Sequence, residues 1–275
     1  MCGLALLIGV GCGNAPDIEK FSLPGTDEIH RADFYVLRTG ASHQAVLVLC
    51  PQLNASGESL VQDPAWQQFA RENQLALIGV YLTSDKYRLR DGKGYYYPER
   101  GSGELLLQAI EQALGEEDLP LLLYGFSGGA QLVSRFVAWK PERVTAWCAY
   151  AASWWAAPEA NPLNPAGIVA SGELDAAALG ASLEYFKQGR SAGKPWTWVS
   201  IRQTGHRQSR EFQDFVRKYF VLCLQQQVRP PADGCWVDIG TEEQVPADAA
   251  AEQAVLSSWL PDPSLHADWA AVHDQ

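Results

Sequence analysis

Apolar residues in this chain come in short dense runs, separated by stretches with helical spacing. Runs at 34–37, 45–50, 75–82, 119–124, 144–151, 167–171 and 196–201 are of strand length. Several are apolar at nearly every position, the pattern of strands buried on both faces. A helix is expected from Asp63-Pro64, an N-cap followed by a first-turn proline, with Trp66, Phe69 and Ala70 on one face. Another runs from Ser102 through Leu105, Leu106, Ile110 and Ala113 and stops at Gly115. A third follows Ser127 and ends near Pro141; a fourth follows Ser209 and carries Phe212, Phe215, Val216, Tyr219 and Phe220. Strands alternating with helices point to an α/β architecture, a mostly parallel sheet covered on both faces. No repeat or long linker interrupts it, so residues 16–275 read as a single domain. Its last part, from about 226 to 275, reads as an extension packed on the core, with a short helical stretch ending at Trp259-Leu260.

Composition narrows the function classes. A chain of 275 residues, 47% apolar, suits one large core. A net charge of −11, with no basic patch, argues against a nucleic-acid partner. The six cysteines, at 2, 12, 50, 148, 223 and 235, form no CxxC pair, and no HExxH is present, so no metal site is expected. Cys50 and Cys148 lie in strand-like runs and read as core residues; Cys223 and Cys235 either pair, if the protein is exported, or stay free. Residues 1–15 resemble the end of a secretory leader, and Gly9-Val-Gly-Cys12 is similar to a bacterial lipoprotein cleavage site, in which Cys12 would carry the lipid. No Lys or Arg precedes Lys20, so a frayed apolar terminus is the other reading.

The most telling segment is Leu121-Leu-Leu-Tyr124-Gly125-Phe-Ser127-Gly128-Gly129. An apolar strand runs into Gly-x-Ser-x-Gly and an amphipathic helix follows at once. The serine stands at the apex of a sharp turn, with glycines where side chains would collide. Its hydroxyl is placed beside a helix N-terminus whose free N–H groups can stabilise an oxyanion. This strand–turn–helix unit resembles the nucleophile elbow of the α/β-hydrolase family, and the resemblance extends over most of residues 33–225.

The resemblance implies a base and an acid in the order serine, acid, histidine. Of five histidines, His30 and His43 precede Ser127, and His266 and His273 lie beyond the last expected core strand. His206, in the turn after 196–201, is left as the base. Glu173 and Asp175 both directly follow a buried strand; Gly172-Glu-Leu-Asp175 matches the family's Gly-x-x-Asp turn, which favours Asp175 over Glu173. The resemblance implies that one oxyanion donor is the N–H of Gly128. The second is expected from the loop 51–57, from Gln52 or, as the alternative, Leu53. This chain has Cys50-Pro51 where many relatives carry His-Gly.

Residues 152–166 leave no room for a lid domain between neighbouring strands, which implies an open cleft roofed by loops. Trp154 and Trp155 are expected to flank it, and Tyr95, Tyr96 and Tyr97 are candidates for an acyl or sugar subsite; packing roles are the competing reading. The loop 51–57 followed by Trp66, and Tyr97-Pro98-Glu-Arg-Gly-Ser-Gly, resemble the secreted polyhydroxybutyrate depolymerase and feruloyl esterase group. That implies a cofactor-free serine esterase of the cell envelope or exterior, acting on polyesters or polysaccharide-linked esters. A serine peptidase of the same superfamily and a catalytically silent polymer-binding envelope protein are the rivals, and a cytoplasmic location is the alternative.

Overall fold

The computed structural model describes residues 17–85, 88–116, 118–158, 163–225 and 234–273. The candidate leader, with Cys12 as its expected site of lipidation, lies outside these residues. An eight-stranded sheet has the order β1 (Ile18–Leu23), β2 (Arg31–Leu37), β4 (Leu75–Thr83), β3 (Ala45–Cys50), β5 (Leu121–Phe126), β6 (Val144–Tyr150), β7 (Ala166–Gly172) and β8 (Trp196–Ile201). β2 runs antiparallel to both its neighbours, and every pair from β4 to β8 is parallel.

The two faces are covered by different helices because side chains alternate along each strand. Leu47, Leu49, Leu122 and Tyr124 face a layer built by α2 (Pro64–Glu72) and α6 (Arg210–Gln225), through Trp66, Phe69, Phe215 and Tyr219. Val46, Val48, Leu121 and Leu123 face α3 (Ser102–Leu114), α4 (Gly128–Trp139) and α5 (Leu179–Ser191). The short helix α1 (Glu58–Val61) joins the first layer. Asp63 caps α2 as expected, its carboxylate accepting from the N–H groups of Ala65 and Trp66.

Three elements differ from the sequence reading. β1 was not expected: its alternating IEKFSL pattern is half exposed and carries charges, as befits an edge strand. α5 was missed because Gly180 and Gly189 break its apolar stripe. Near the C-terminus the helical stretch is α7 (Ala247–Glu252), and Trp259-Leu260 instead belongs to a strand, β11 (Ser257–Leu260). β11 pairs with β9 (Cys235–Asp238), which also pairs with β10 (Gln244–Val245), and the final helix α8 (His266–Val272) follows. Cys223 and Cys235 are both free thiols.

Candidate active site

β5 delivers its last residue into a turn that local sterics shape completely. Ser127 has φ 53° and ψ −112°, a conformation that costs about 1–3 kcal/mol and persists only where neighbours enforce it. The enforcement is visible: the Ser127 N–H donates to the carbonyl of Tyr150 on β6 at 2.8 Å, while its own carbonyl accepts from Gln131 to begin α4. A Cβ at position 125 would stand 2.5 Å from the Gly129 carbonyl oxygen, and one at 129 would stand 2.1 Å from that of Cys50. Only glycine lets β3, β5 and α4 close on this turn.

Asp175 and His206 come from the loops after β7 and β8. The His206 Nε2 lies 2.9 Å from Ser127 Oγ, and its Nδ1 lies 2.6 Å from Asp175 Oδ2. The Asp175 carboxylate is 2% exposed, whereas the imidazole is 45% exposed. Buried carboxylates need partners, and Asp175 has them: Oδ1 accepts from the N–H groups of Ala177 and Ala178 at 3.3 and 3.2 Å. Glu173 has a different place. Its Oε2 accepts from the Gln203 N–H at 2.7 Å, and the Leu174 N–H donates to the Thr204 carbonyl at 2.9 Å, so the two loops are bonded to each other.

Two aromatic residues hold the histidine turn and were not singled out from the sequence. Phe126, inside the elbow motif, stacks at a tilt on the imidazole, centroids 5.2 Å apart. The Tyr150 hydroxyl donates to the carbonyl of Arg207, and its ring packs between Phe126 and Phe212. Burial, and then the Asp175 charge, push the Tyr150 phenol above its ordinary pKa, so it remains a donor. Phe126 was discoverable as the variable position of the motif; Tyr150 ends an ordinary buried strand and carries no local signal.

The loop after β3 approaches α4 closely. A Cβ on Gly128 would lie 2.7 Å from the Leu53 nitrogen and 2.7 Å from the Tyr95 hydroxyl. Leu53 is half-buried, while Gln52 is exposed and its carbonyl is bonded to the Ala55 N–H. Asn54, at φ 55°, pins the loop by exchanging two hydrogen bonds with the backbone of Ser84, at 2.9 and 3.1 Å.

The aromatic candidates divide. Trp154 is 45% exposed, with the Arg90 guanidinium 5.6 Å from its ring, and Leu174 beside Asp175 is 63% exposed. Trp155 stacks on Tyr185 at 4.2 Å and belongs to the packing. Tyr97 donates to the Leu89 carbonyl and lies under Arg135. Tyr95 and Tyr96 are not exposed; they are buried against each other, centroids 4.3 Å apart, because the 92–97 turn folds inward against β3 and β4. Among the described residues, no group of His, Cys, Asp and Glu is placed to hold a metal, and no helix is long and apolar enough to cross a membrane.

No family model matches this chain and no curated protein sequence does. Solved structures do match. FphF, a fluorophosphonate-binding serine hydrolase of Staphylococcus aureus, superposes with TM-score 0.56 at 10% identity, over 77% of this chain and 100% of its own. An esterase of Pyrobaculum calidifontis gives 0.57 at 12% identity, over 78% and 86%. LpqC, a poly(3-hydroxybutyrate) depolymerase of Bordetella parapertussis, gives 0.52 at 15% identity, over 79% and 92%. With the strand order and the elbow already described, these likenesses give the chain's architecture: it has the α/β-hydrolase fold, with no large lid.

Proposed function

We propose that this protein is a serine hydrolase of carboxylic esters. The observation that carries the reading is the continuous hydrogen-bonded chain from Ser127 Oγ through both nitrogens of His206 to a buried, otherwise satisfied Asp175. In this reading His206 Nε2 takes the Ser127 proton as Oγ attacks the ester carbonyl. Asp175 holds Nδ1–H and stabilises the imidazolium. The oxyanion is held by the N–H of Gly128 and a second N–H from the loop after β3. The approach of the Leu53 nitrogen to Gly128 favours Leu53 over Gln52 for that second place. His206 then returns its proton to the leaving alcohol, and water activated by the same imidazole cleaves the acyl-enzyme to release the acid. No cofactor enters these steps.

For substrate, the reading is a bulky or polymeric ester, a polyester or a polysaccharide-linked ester. An imidazole 45% exposed, on a molecule that also exposes Trp154 and Leu174, suits a substrate that lies across an open face. The likeness to the Bordetella depolymerase is in keeping with it. Location in the cell envelope or outside the cell, with Cys12 lipidated, rests on residues 1–15 alone.

A fluorophosphonate probe tests the chemistry. Ser127 becomes labelled in the folded protein; Ser127→Ala abolishes labelling and His206→Ala slows it by about three orders of magnitude or more. Absence of labelling in well-folded protein leaves the silent polymer-binding reading. Cleavage of aminoacyl amides in preference to p-nitrophenyl esters selects the peptidase. A panel of acetyl, feruloyl and hydroxybutyryl esters then ranks the acyl group.

A further inference from the structure

Two N–H donors from separate segments hold an oxyanion only if their spacing is fixed to within about half an ångström. Gly128 opens α4 and is held by the helix. Leu53 stands in a loop, and its support comes from several directions. Beyond it, the Asn54 side chain bonds the Ser84 backbone, and the Gly57 N–H donates to the Val80 carbonyl on β4 at 3.0 Å. Toward α4 the loop meets a buried hydroxyl. The Tyr95 oxygen lies 2.7 Å from the point where a Gly128 Cβ would stand, and the Leu53 nitrogen and Cα lie 2.7 and 2.8 Å from the same point. Tyr95 and Leu53 thus share one small space, which exists because residue 128 has no side chain.

The tyrosine is held in that space. It is 3% exposed and stacks on Tyr96, centroids 4.3 Å apart. Its turn is fastened by Glu28, whose Oε2 accepts from the Gly94 N–H and from Arg100 Nε, both at 3.0 Å. Burial pushes the Tyr95 phenol well above its ordinary pKa, and a backbone hydrogen bond from Asn54 offsets this only in part. The hydroxyl is therefore neutral, and it engages the backbone of the residue that follows Leu53. Burying an oxygen carries a desolvation cost that a phenylalanine in the same place would not. Packing alone does not account for a hydroxyl here.

We infer that Tyr95 is a positioning residue for the oxyanion hole: its hydroxyl, seated in the space that Gly128 leaves, braces the Leu53–Asn54 backbone at the spacing from Gly128 that two converging N–H donors need. The inference rests on the hydrolase reading proposed above and names a residue that reading does not use.

The test compares p-nitrophenyl acetate with its thiono analogue, in which sulfur replaces the carbonyl oxygen. Sulfur is larger and accepts hydrogen bonds more weakly, so a hole shaped for oxygen favours the oxo ester and a loosened hole favours it less. Tyr95→Phe removes one oxygen and keeps the ring. It is expected to lower kcat on the oxo ester about tenfold, with KM within about twofold, and to lower the oxo-to-thiono rate ratio about fivefold or more. Both rates come from one sample, so the ratio is independent of how much of the variant is folded. Gly128→Ala, which crowds the Leu53 backbone directly, is expected to lower the ratio as well. A Tyr95→Phe ratio equal to that of the wild type overturns the inference, whether or not Gly128→Ala lowers it. So does an unchanged kcat, or a loss that appears as a rise in KM. Wild-type protein that is labelled by a fluorophosphonate at Ser127 and cleaves the oxo ester keeps the hydrolase reading standing through each of these results. Wild-type protein that does neither overturns that reading and this inference together.

Discussion

Two carboxylates two residues apart follow β7, and the structure gives them different work. Asp175 turns inward, satisfied by two backbone N–H groups and His206, while Glu173 bonds the neighbouring loop through Gln203. Asp175→Asn keeps the shape but removes the charge that stabilises an imidazolium, so kcat on a p-nitrophenyl ester is expected to fall by about 10⁴-fold. Glu173→Gln retains an acceptor for the Gln203 N–H and is expected to change kcat by less than about threefold. Steady-state kinetics of the two variants side by side decides the assignment. The Gly-x-x-Asp spacing pointed to Asp175; the loop-bonding role of Glu173 was invisible, because its partner lies thirty positions away.

At the scale of elements, β1 shows how a charged edge strand is secured. Asp33 on β2 accepts from Ser22 Oγ at 2.7 Å and pairs with Lys20 at 2.9 Å and Arg31 at 3.1 Å. Burial alone would raise its carboxyl pKa, but Lys20, Ser22 and Arg31 outweigh it and hold the carboxyl below the usual aspartate range. A pKa lowered by folding adds stability that is complete above the unfolded value, about 4, and is lost as pH falls through the folded value. Asp33→Asn is therefore expected to lower the thermal midpoint at pH 7, with the difference shrinking below about pH 4. A midpoint difference that persists undiminished at pH 3 would contradict this account. Sequence reading missed β1 for the same physical reason that the cluster exists: an edge strand is half polar, and its apolar signal is diluted.

Across the whole molecule, the sheet's other edge is closed by the C-terminal segment without forming another strand on β8. The outward N–H of Trp198 donates to Ser258 Oγ at 2.8 Å, and that of Ser200 to His273 Nδ1 at 3.1 Å. The Trp269 indole N–H donates to the carbonyl of Trp198 at 2.8 Å. Side chains thereby occupy groups that an open edge would offer to another chain. Ser258→Ala leaves a buried N–H unsatisfied and is expected to cost about 1–3 kcal/mol in urea unfolding. Combined with His273→Ala, it is expected to produce dimers or larger species in light scattering; a strictly monodisperse double variant of unchanged oligomeric state would refute the edge-closing role.

What the sequence determined by itself is whatever depends on neighbours along the chain. Alternation of apolar runs and helical stripes set the layered architecture, and Gly125, Ser127 and Gly129 set a turn whose sterics are complete within a few residues. The order serine, acid, histidine that the family resemblance implies then pointed to His206 as the candidate base. Tertiary structure alone decided which donor of the loop after β3 approaches Gly128, that Tyr95 and Tyr96 fold inward, that Trp155 is packing and Trp154 is surface, and that Tyr150 holds the histidine turn. Each of these depends on where separate loops meet over the sheet, which is a matter of packing between distant segments. Local pattern carries the period of an element but not the contacts made beyond its ends.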